Sequence, residues 1–153
     1  MTKVLFVCLG NICRSPMAEA VFSHKVKEEG LNSEIEVDSC GTAAYHIGQD
    51  PDPRTVAIVT DNNIPINHTV RQLRLEDFNR FDYILAMDRS NLSEIYYVKP
   101  DDSLAEIMLI RDFDPTPGDG QVPDPYYGGN DGFQNVFEML DRSSNALLKH
   151  IKR

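Results

Sequence analysis

Val4, Leu5, Phe6 and Val7 form an unbroken apolar run, and this run restricts the fold more than any other stretch of the chain. A strand with one wet face alternates apolar and polar residues; a run without alternation is covered on both faces, as in a parallel sheet. Seven residues separate it from Ser15, where a different period begins. Met17, Ala20, Val21 and His24 recur at helical spacing, Pro16 suits a first turn, and Gly30 marks the end. A buried strand, a short turn and a helix make the first half of a βαβ unit. The pattern then repeats. "EIEVDSC" (34–40) reads as a strand, and Asp52 with Pro53 starts a helix running into "RTVAIVTDNN". "DYILAM" (82–87) reads as a third strand, and Ser90 is placed to cap "NLSEIYYV", which must stop before Pro100. "EIMLI" (106–110) is a fourth strand. Phe133, Val136, Phe137, Leu140, Leu147, Leu148 and Ile151 form one face of a closing helix. Strands alternating with helices predict an α/β fold with a parallel sheet flanked by helices on both sides. The 153 residues suit one domain. Only residues 112 to 132, rich in Pro, Gly and Asp, lack a period, and a loop this long inside a compact domain is usually functional.

The net charge of −9 argues against binding nucleic acid, since the chain has no bulk positive field for a phosphate backbone. No apolar run approaches the roughly 18–20 residues that span a bilayer, and no basic–apolar leader precedes the first strand. Three cysteines fit a reduced, cytoplasmic setting better than a disulfide scaffold. No membrane partner, metal or cofactor is expected. An anion held by such an acidic chain must be held by local dipoles and a few placed cations.

The first turn, "CLGNICRS" (8–15), offers both. In an open α/β sheet, ligands bind beyond the carboxyl ends of the strands. A turn entering a helix aims several backbone N–H groups at one spot. Gly10 and Asn11 tolerate the positive φ that would wrap the turn around an anion. Arg14, with five residues between it and Cys8, lies on the first helical turn and adds a fork of donors for phosphate oxygens. The segment Leu9, Gly10, Asn11, Ile12, Cys13, Arg14 and Ser15 is thus a phosphate-binding loop. Cys8 sits at its base, where the same donors favour a thiolate nucleophile. The predicted step is attack on phosphorus to give a phosphocysteine, followed by hydrolysis.

"VLFVCLGNICRSPMAEAVF" resembles the active-site segment of the low-molecular-weight protein tyrosine phosphatases. "DSCGT", "FDYILAMDRSNL" and "DPYYG" follow in that family's order, so the resemblance covers nearly the whole chain. It implies a four-stranded parallel sheet and hydrolysis of phosphotyrosine in proteins and of small aryl phosphates, with inorganic phosphate or a similar oxyanion able to occupy the loop. Expelling a phenolate calls for a general acid, and Asp112, Asp114, Asp119, Asp124 and Asp131 all lie in the long loop. Pro123 and Pro125 stiffen the backbone around Asp124, and the resemblance of "DPYY" to the family's acid motif selects it. The resemblance also implies that Asn11 holds the loop's shape with Ser39 and His68. Ser15 would stabilise the departing thiolate. Ile12, Tyr45 and Tyr126 would wall a slot for a phenyl ring. Cys13 would form a reversible disulfide with Cys8. Tyr126 and Tyr127 read as slot walls, with phosphorylation a second role. Relatives acting on phosphoarginine carry threonine where this chain has Ile12. The arsenate reductase branch needs two further cysteines after the third strand, and "MDRSNLSEIYYVKPDD" has none. Cys40 is assigned no task. A non-catalytic phosphate reader would need neither Cys8 nor Asp124.

Overall fold

The computed structural model describes residues 1–126 and 130–153, so Tyr127 lies outside the described residues. The expected alternation is realised. Strand β1 (Thr2–Cys8) leads to helix α1 (Arg14–Glu28), and β2 (Ile35–Gly41) leads to α2 (Pro53–Asp61). A short α3 (Asp77–Arg80) precedes β3 (Tyr83–Ala86). Next come α4 (Arg89–Val98), β4 (Glu106–Leu109), a 3₁₀ turn (Ile110–Phe113) and the long α5 (Asn130–Ile151). The four strands are parallel in the order β2-β1-β3-β4. The chain leaves β1 toward one neighbour and returns to the other, so β1 stands at the point where the strand order reverses. Its carboxyl end is where this architecture opens a crevice.

Val4, Leu5, Phe6 and Val7 are fully buried, as an unalternating run requires. Their side chains divide between two cores. Val4 and Phe6 face α1 and α5 with Met17, Val21, Phe22, Val136 and Leu140. Leu5 and Val7 face the other layer with Phe78, Phe81, Ile84 and Ile95. Cys40 belongs to that second core, fully buried, and burial raises its thiol well above the ordinary range. It behaves as a small apolar side chain.

Two local expectations are corrected. Ser90 does not cap α4. Asp88 does, its Oδ1 accepting from the Asn91 backbone N–H at 2.7 Å, because Asp88 is the residue that leaves the strand in extended geometry. Of Gly10 and Asn11, only Asn11 has positive φ, at 58°. Position 10 is close to the His46 ring instead: a Cβ there would lie 3.2 Å from it, so the ring would have to shift by a few tenths of an ångström. Helix α3 carries no sequence period, since four residues are too few to show one.

Candidate active site

The β1–α1 turn owes its shape to what its carbonyls bind. The Cys8 carbonyl accepts from Thr42 N, Leu9 from Ala43 N and Ile12 from Asp52 N, at 2.8–3.0 Å. The Cys13 carbonyl accepts from Thr55 Oγ1 at 3.2 Å. In a trans peptide the next N–H points opposite to the carbonyl. Holding these four carbonyls outward therefore turns the N–H groups of Leu9, Gly10, Cys13 and Arg14 toward the cleft that the same residues line. Gly41 permits this packing, since a Cβ there would lie 2.7 Å from the Leu9 carbonyl oxygen. Helix α1 has Cys13 at its N-cap, with no side-chain cap bond. A serine or aspartate in that place would fold its own oxygen over the first helical N–H groups.

Cys8 is 3 % exposed at the base of this turn. Its Sγ lies 3.0 Å from Ser15 Oγ and accepts from the Asn11 backbone N–H at 3.2 Å. Asn11 is buried behind the turn and spends its whole amide there. Nδ2 donates to Ser15 Oγ at 2.7 Å and to Ser39 Oγ at 3.1 Å. Oδ1 accepts from His68 Nε2 at 2.7 Å and from the Arg71 N–H at 3.1 Å. His68 Nδ1 faces Glu19 Oε1 at 3.0 Å, and Ser39 Oγ donates to the same carboxylate at 2.7 Å. Glu19, Asp38 and His68 hold ligand-type atoms within 4.8 Å of one another. Their bonds are already committed, to Ser39, Arg71 and Asn11, so they serve as a brace for the loop.

Arg14 is 2 % exposed. Its Nη1 donates to Asp88 Oδ2 at 2.6 Å and to the Val122 carbonyl at 3.0 Å, and its Nη2 lies 3.7 Å from Asp124 Oδ2. Burial opposes its charge, but Cys8, Asp88 and Asp124 more than offset that, and the guanidinium is held above its ordinary range. Burial, then the charges of Asp52, Cys8 and Asp124, push the Cys13 thiol up to about 12. Asp124 is partly exposed at the cleft wall, its Oδ1 accepting from the Tyr126 N–H at 3.0 Å. The cleft holds about 340 Å³ and is lined by Cys8, Arg14, Asp124, Ile12, Tyr45, His46 and Tyr126.

The structure thus gathers Cys8, Leu9, Gly10, Ile12, Cys13, Arg14, Tyr45, Asp124 and Tyr126 around one cleft, with Asn11, Ser15, Ser39 and His68 directly behind it. Reading the sequence alone missed several contributors. Asp88 had a usable signal, since it lies just past a strand's carboxyl end. His46 adjoins Tyr45. Glu19 and Arg71 had no signal, because a lone charge on a helix or in a loop is ordinarily solvated. Arg54 was also missed. It pairs with Asp52, donates to the Tyr126 carbonyl at 3.1 Å and lies 5.3 Å over the Tyr126 ring, bracing that wall of the slot.

A buried cysteine in a ring of main-chain donors, opposite an arginine and a carboxylate, defines a phosphate-loop hydrolase working through a thiol. Residues 3–153 match the family described as low molecular weight phosphotyrosine protein phosphatase. A low molecular weight phosphotyrosine protein phosphatase of Schizosaccharomyces pombe is 52 % identical over 99 % of both chains. The crystal structure of a protein tyrosine phosphatase from Entamoeba histolytica, with Hepes in its active site, superposes with a TM-score of 0.95. It is 38 % identical and covers 99 % of this chain and 97 % of its own. A drosophila arginine phosphatase superposes with a TM-score of 0.94 at 35 % identity, over 99 % of each chain. The protein belongs to the low molecular weight phosphotyrosine protein phosphatase family, whose members are cysteine-dependent phosphatases. Among the described residues, no helix is long and apolar enough to cross a membrane.

Proposed function

We propose that the protein hydrolyses phosphotyrosine in proteins, with Cys8 as nucleophile and Asp124 as proton donor. The observation that carries this reading is the Cys8 sulfur, 3.0 Å from Ser15 Oγ and 3.2 Å from the Asn11 N–H, at the base of a cleft walled by Arg14 and Asp124. In the first step the Cys8 thiolate bonds to phosphorus as the aryl oxygen departs, taking its proton from Asp124. The N–H groups of the loop and Arg14 hold the equatorial oxygens throughout. In the second step a water attacks phosphorus and gives a proton to the Asp124 carboxylate. The sulfur then leaves as thiolate, receiving the Ser15 hydroxyl hydrogen bond, and phosphate is released. Ile12, Tyr45 and Tyr126 suit a flat aromatic ring, and a sulfur only 3 % exposed disfavours phosphoserine, whose phosphate hangs on a short stem.

A second reading is phosphoarginine hydrolysis, favoured by the close likeness to the drosophila arginine phosphatase. The apolar Ile12 argues for the aryl substrate, because it offers a guanidinium no hydrogen-bond acceptor. We read residues 1–153 as one domain acting in a reducing, cytoplasmic compartment, supported by a nucleophile that must stay reduced and by three free cysteines. The test is turnover of para-nitrophenyl phosphate with chelator present. Cys8→Ser should abolish it. Asp124→Ala should slow phenyl phosphate far more than para-nitrophenyl phosphate, and a uniform effect would remove Asp124 from its role. Phosphotyrosine peptides should be cleaved in preference to phosphoserine and phosphoarginine peptides; the reverse order would overturn the substrate assignment.

A further inference from the structure

Between the 3₁₀ turn and Asp124 the chain wraps around a buried cation. Arg111 has a side chain only 6 % exposed, although arginine is rarely buried. Its Nε donates to Asp114 Oδ2 at 3.0 Å, its Nη2 to the Thr116 carbonyl at 3.0 Å, and its Nη1 to the Gln121 carbonyl at 2.7 Å. Asp114, its own side chain fully buried, also binds Arg142 of α5 through Nε at 3.1 Å and Nη2 at 3.2 Å, and accepts from the Thr116 N–H at 2.9 Å. Gly118, at φ 57°, passes over the guanidinium so closely that a Cβ would lie 3.6 Å from Nη2. One planar fork thus fixes the loop backbone at positions 116 and 121, and α5 anchors the fork.

Gln121 lies three residues ahead of Asp124, and the backbone between them is held at each step. The Gln121 carbonyl and the Val122 N–H belong to one peptide plane. Arg111 holds the carbonyl side, and the Met87 carbonyl accepts from the N–H side at 2.8 Å. The next carbonyl, on Val122, accepts from Arg14 Nη1 at 3.0 Å. Pro123 then fixes its own φ, and Asp124 comes next. Just ahead of the proton donor, the backbone is therefore clamped between a guanidinium used nowhere else in the site and the strand end beside the cleft.

We propose that Arg111 is a positioning residue for proton delivery, setting where Asp124 stands over the leaving oxygen. The proposal rests on the assignment of Asp124 as proton donor. It predicts a selective defect. A buried ion pair kept only for stability would lower every rate alike, through the fraction folded. A misplaced proton donor instead harms substrates whose leaving group needs the proton, while leaving the loop's hold on phosphate intact.

The test compares kcat/KM for phenyl phosphate and para-nitrophenyl phosphate in the parent, Arg111→Met, Asp124→Ala and the double variant. Thermal melts read by circular dichroism identify folded protein. Arg111→Met should lose about tenfold more on phenyl phosphate than on para-nitrophenyl phosphate, within the range a positioned acid contributes. Competitive inhibition by inorganic phosphate should change less than about twofold, and the Met change should add almost nothing in the Asp124→Ala background. Arg111→Lys keeps the charge beside Asp114 but cannot reach both carbonyls. It should show the same selective loss in smaller degree, and it decides the matter if the Met variant does not fold. Equal loss on both substrates, no loss on either, or a full additional loss in the Asp124→Ala background would each overturn the proposal. If Asp124→Ala itself shows no leaving-group dependence, the assignment of Asp124 fails and takes this proposal with it. If Asp124→Ala shows that dependence and the Arg111 variants do not, this proposal alone fails.

Discussion

Replacing Asn11 by alanine, and separately by glycine, divides two contributions that its side chain and backbone make together. The side chain is buried and engaged by Ser15, Ser39, His68 and the Arg71 N–H in four hydrogen bonds. Each such bond contributes about 1 kcal/mol, and the stranded partners are themselves buried. Water entering the vacated space recovers part of this, so removing the amide should cost about 3 kcal/mol. The backbone adds a second term. At φ 58°, alanine carries a steric penalty of about 1 kcal/mol that glycine does not. Asn11→Gly should therefore lose about 3 kcal/mol and Asn11→Ala about 4 kcal/mol, a large share of the roughly 5–15 kcal/mol typical of a domain. The chain has no tryptophan, so urea unfolding is followed by far-ultraviolet circular dichroism, and midpoints are compared at matched slopes. If alanine is as well tolerated as glycine, the left-handed turn is not strained. If both variants lose less than about 1 kcal/mol, the bonds behind the loop are not what holds it.

Two further outcomes are expected. Peroxide should oxidise Cys8 to a sulfenic acid, and attack by Cys13 should then expel water and form a disulfide that thiol reverses. Recovery with thiol should be high in the parent and low in Cys13→Ser; equal recovery would exclude Cys13 from protection. Asp114 governs an acid-stability effect. Burial works against its charge, but Arg142, the Thr116 N–H and Arg111 outweigh it and hold the carboxyl below the ordinary carboxylate range. The unfolded chain therefore binds this proton more readily than the folded one, so the stabilisation is complete above about pH 4 and is lost as pH falls below that. Urea midpoints between about pH 5 and 3 should fall less steeply in Asp114→Asn than in the parent, and parallel slopes would refute this.

The parts of the site that could be read from sequence are those that lie together in it. Cys8 through Ser15 carry the proposed nucleophile, the N–H donors and the guanidinium in eight consecutive residues, so reading their chemistry needs no knowledge of tertiary contacts. Val4 to Val7 announce a doubly covered strand by their composition alone. Asp124 was narrowed by its flanking prolines and selected by family resemblance. Glu19, Arg71 and Arg111 were invisible for a common reason. Each acts through a partner distant along the chain or through backbone carbonyls, and neither relation leaves a mark on local pattern. Gly10 shows a subtler limit. Glycine serves close approach and positive φ equally well, and only the folded backbone tells that positive φ is not what position 10 uses.

β1 pairs with β2 on one flank and with β3 on the other. A strand bonded on both sides cannot expose its amides by peeling from an edge; it exchanges them only when the whole molecule opens. The protons of Val4 to Val7 should thus be among the last replaced by deuterium, and the Cys8 sulfur, the proposed nucleophile, is moored directly to that most persistent segment. The stretch from Thr116 to Tyr126, held by the guanidinium groups of Arg111, Arg14 and Arg54 and by few main-chain bonds rather than by a ladder on both flanks, should let go sooner. On warming, the molecule would lose its ability to deliver a proton before it loses its ability to hold a phosphate.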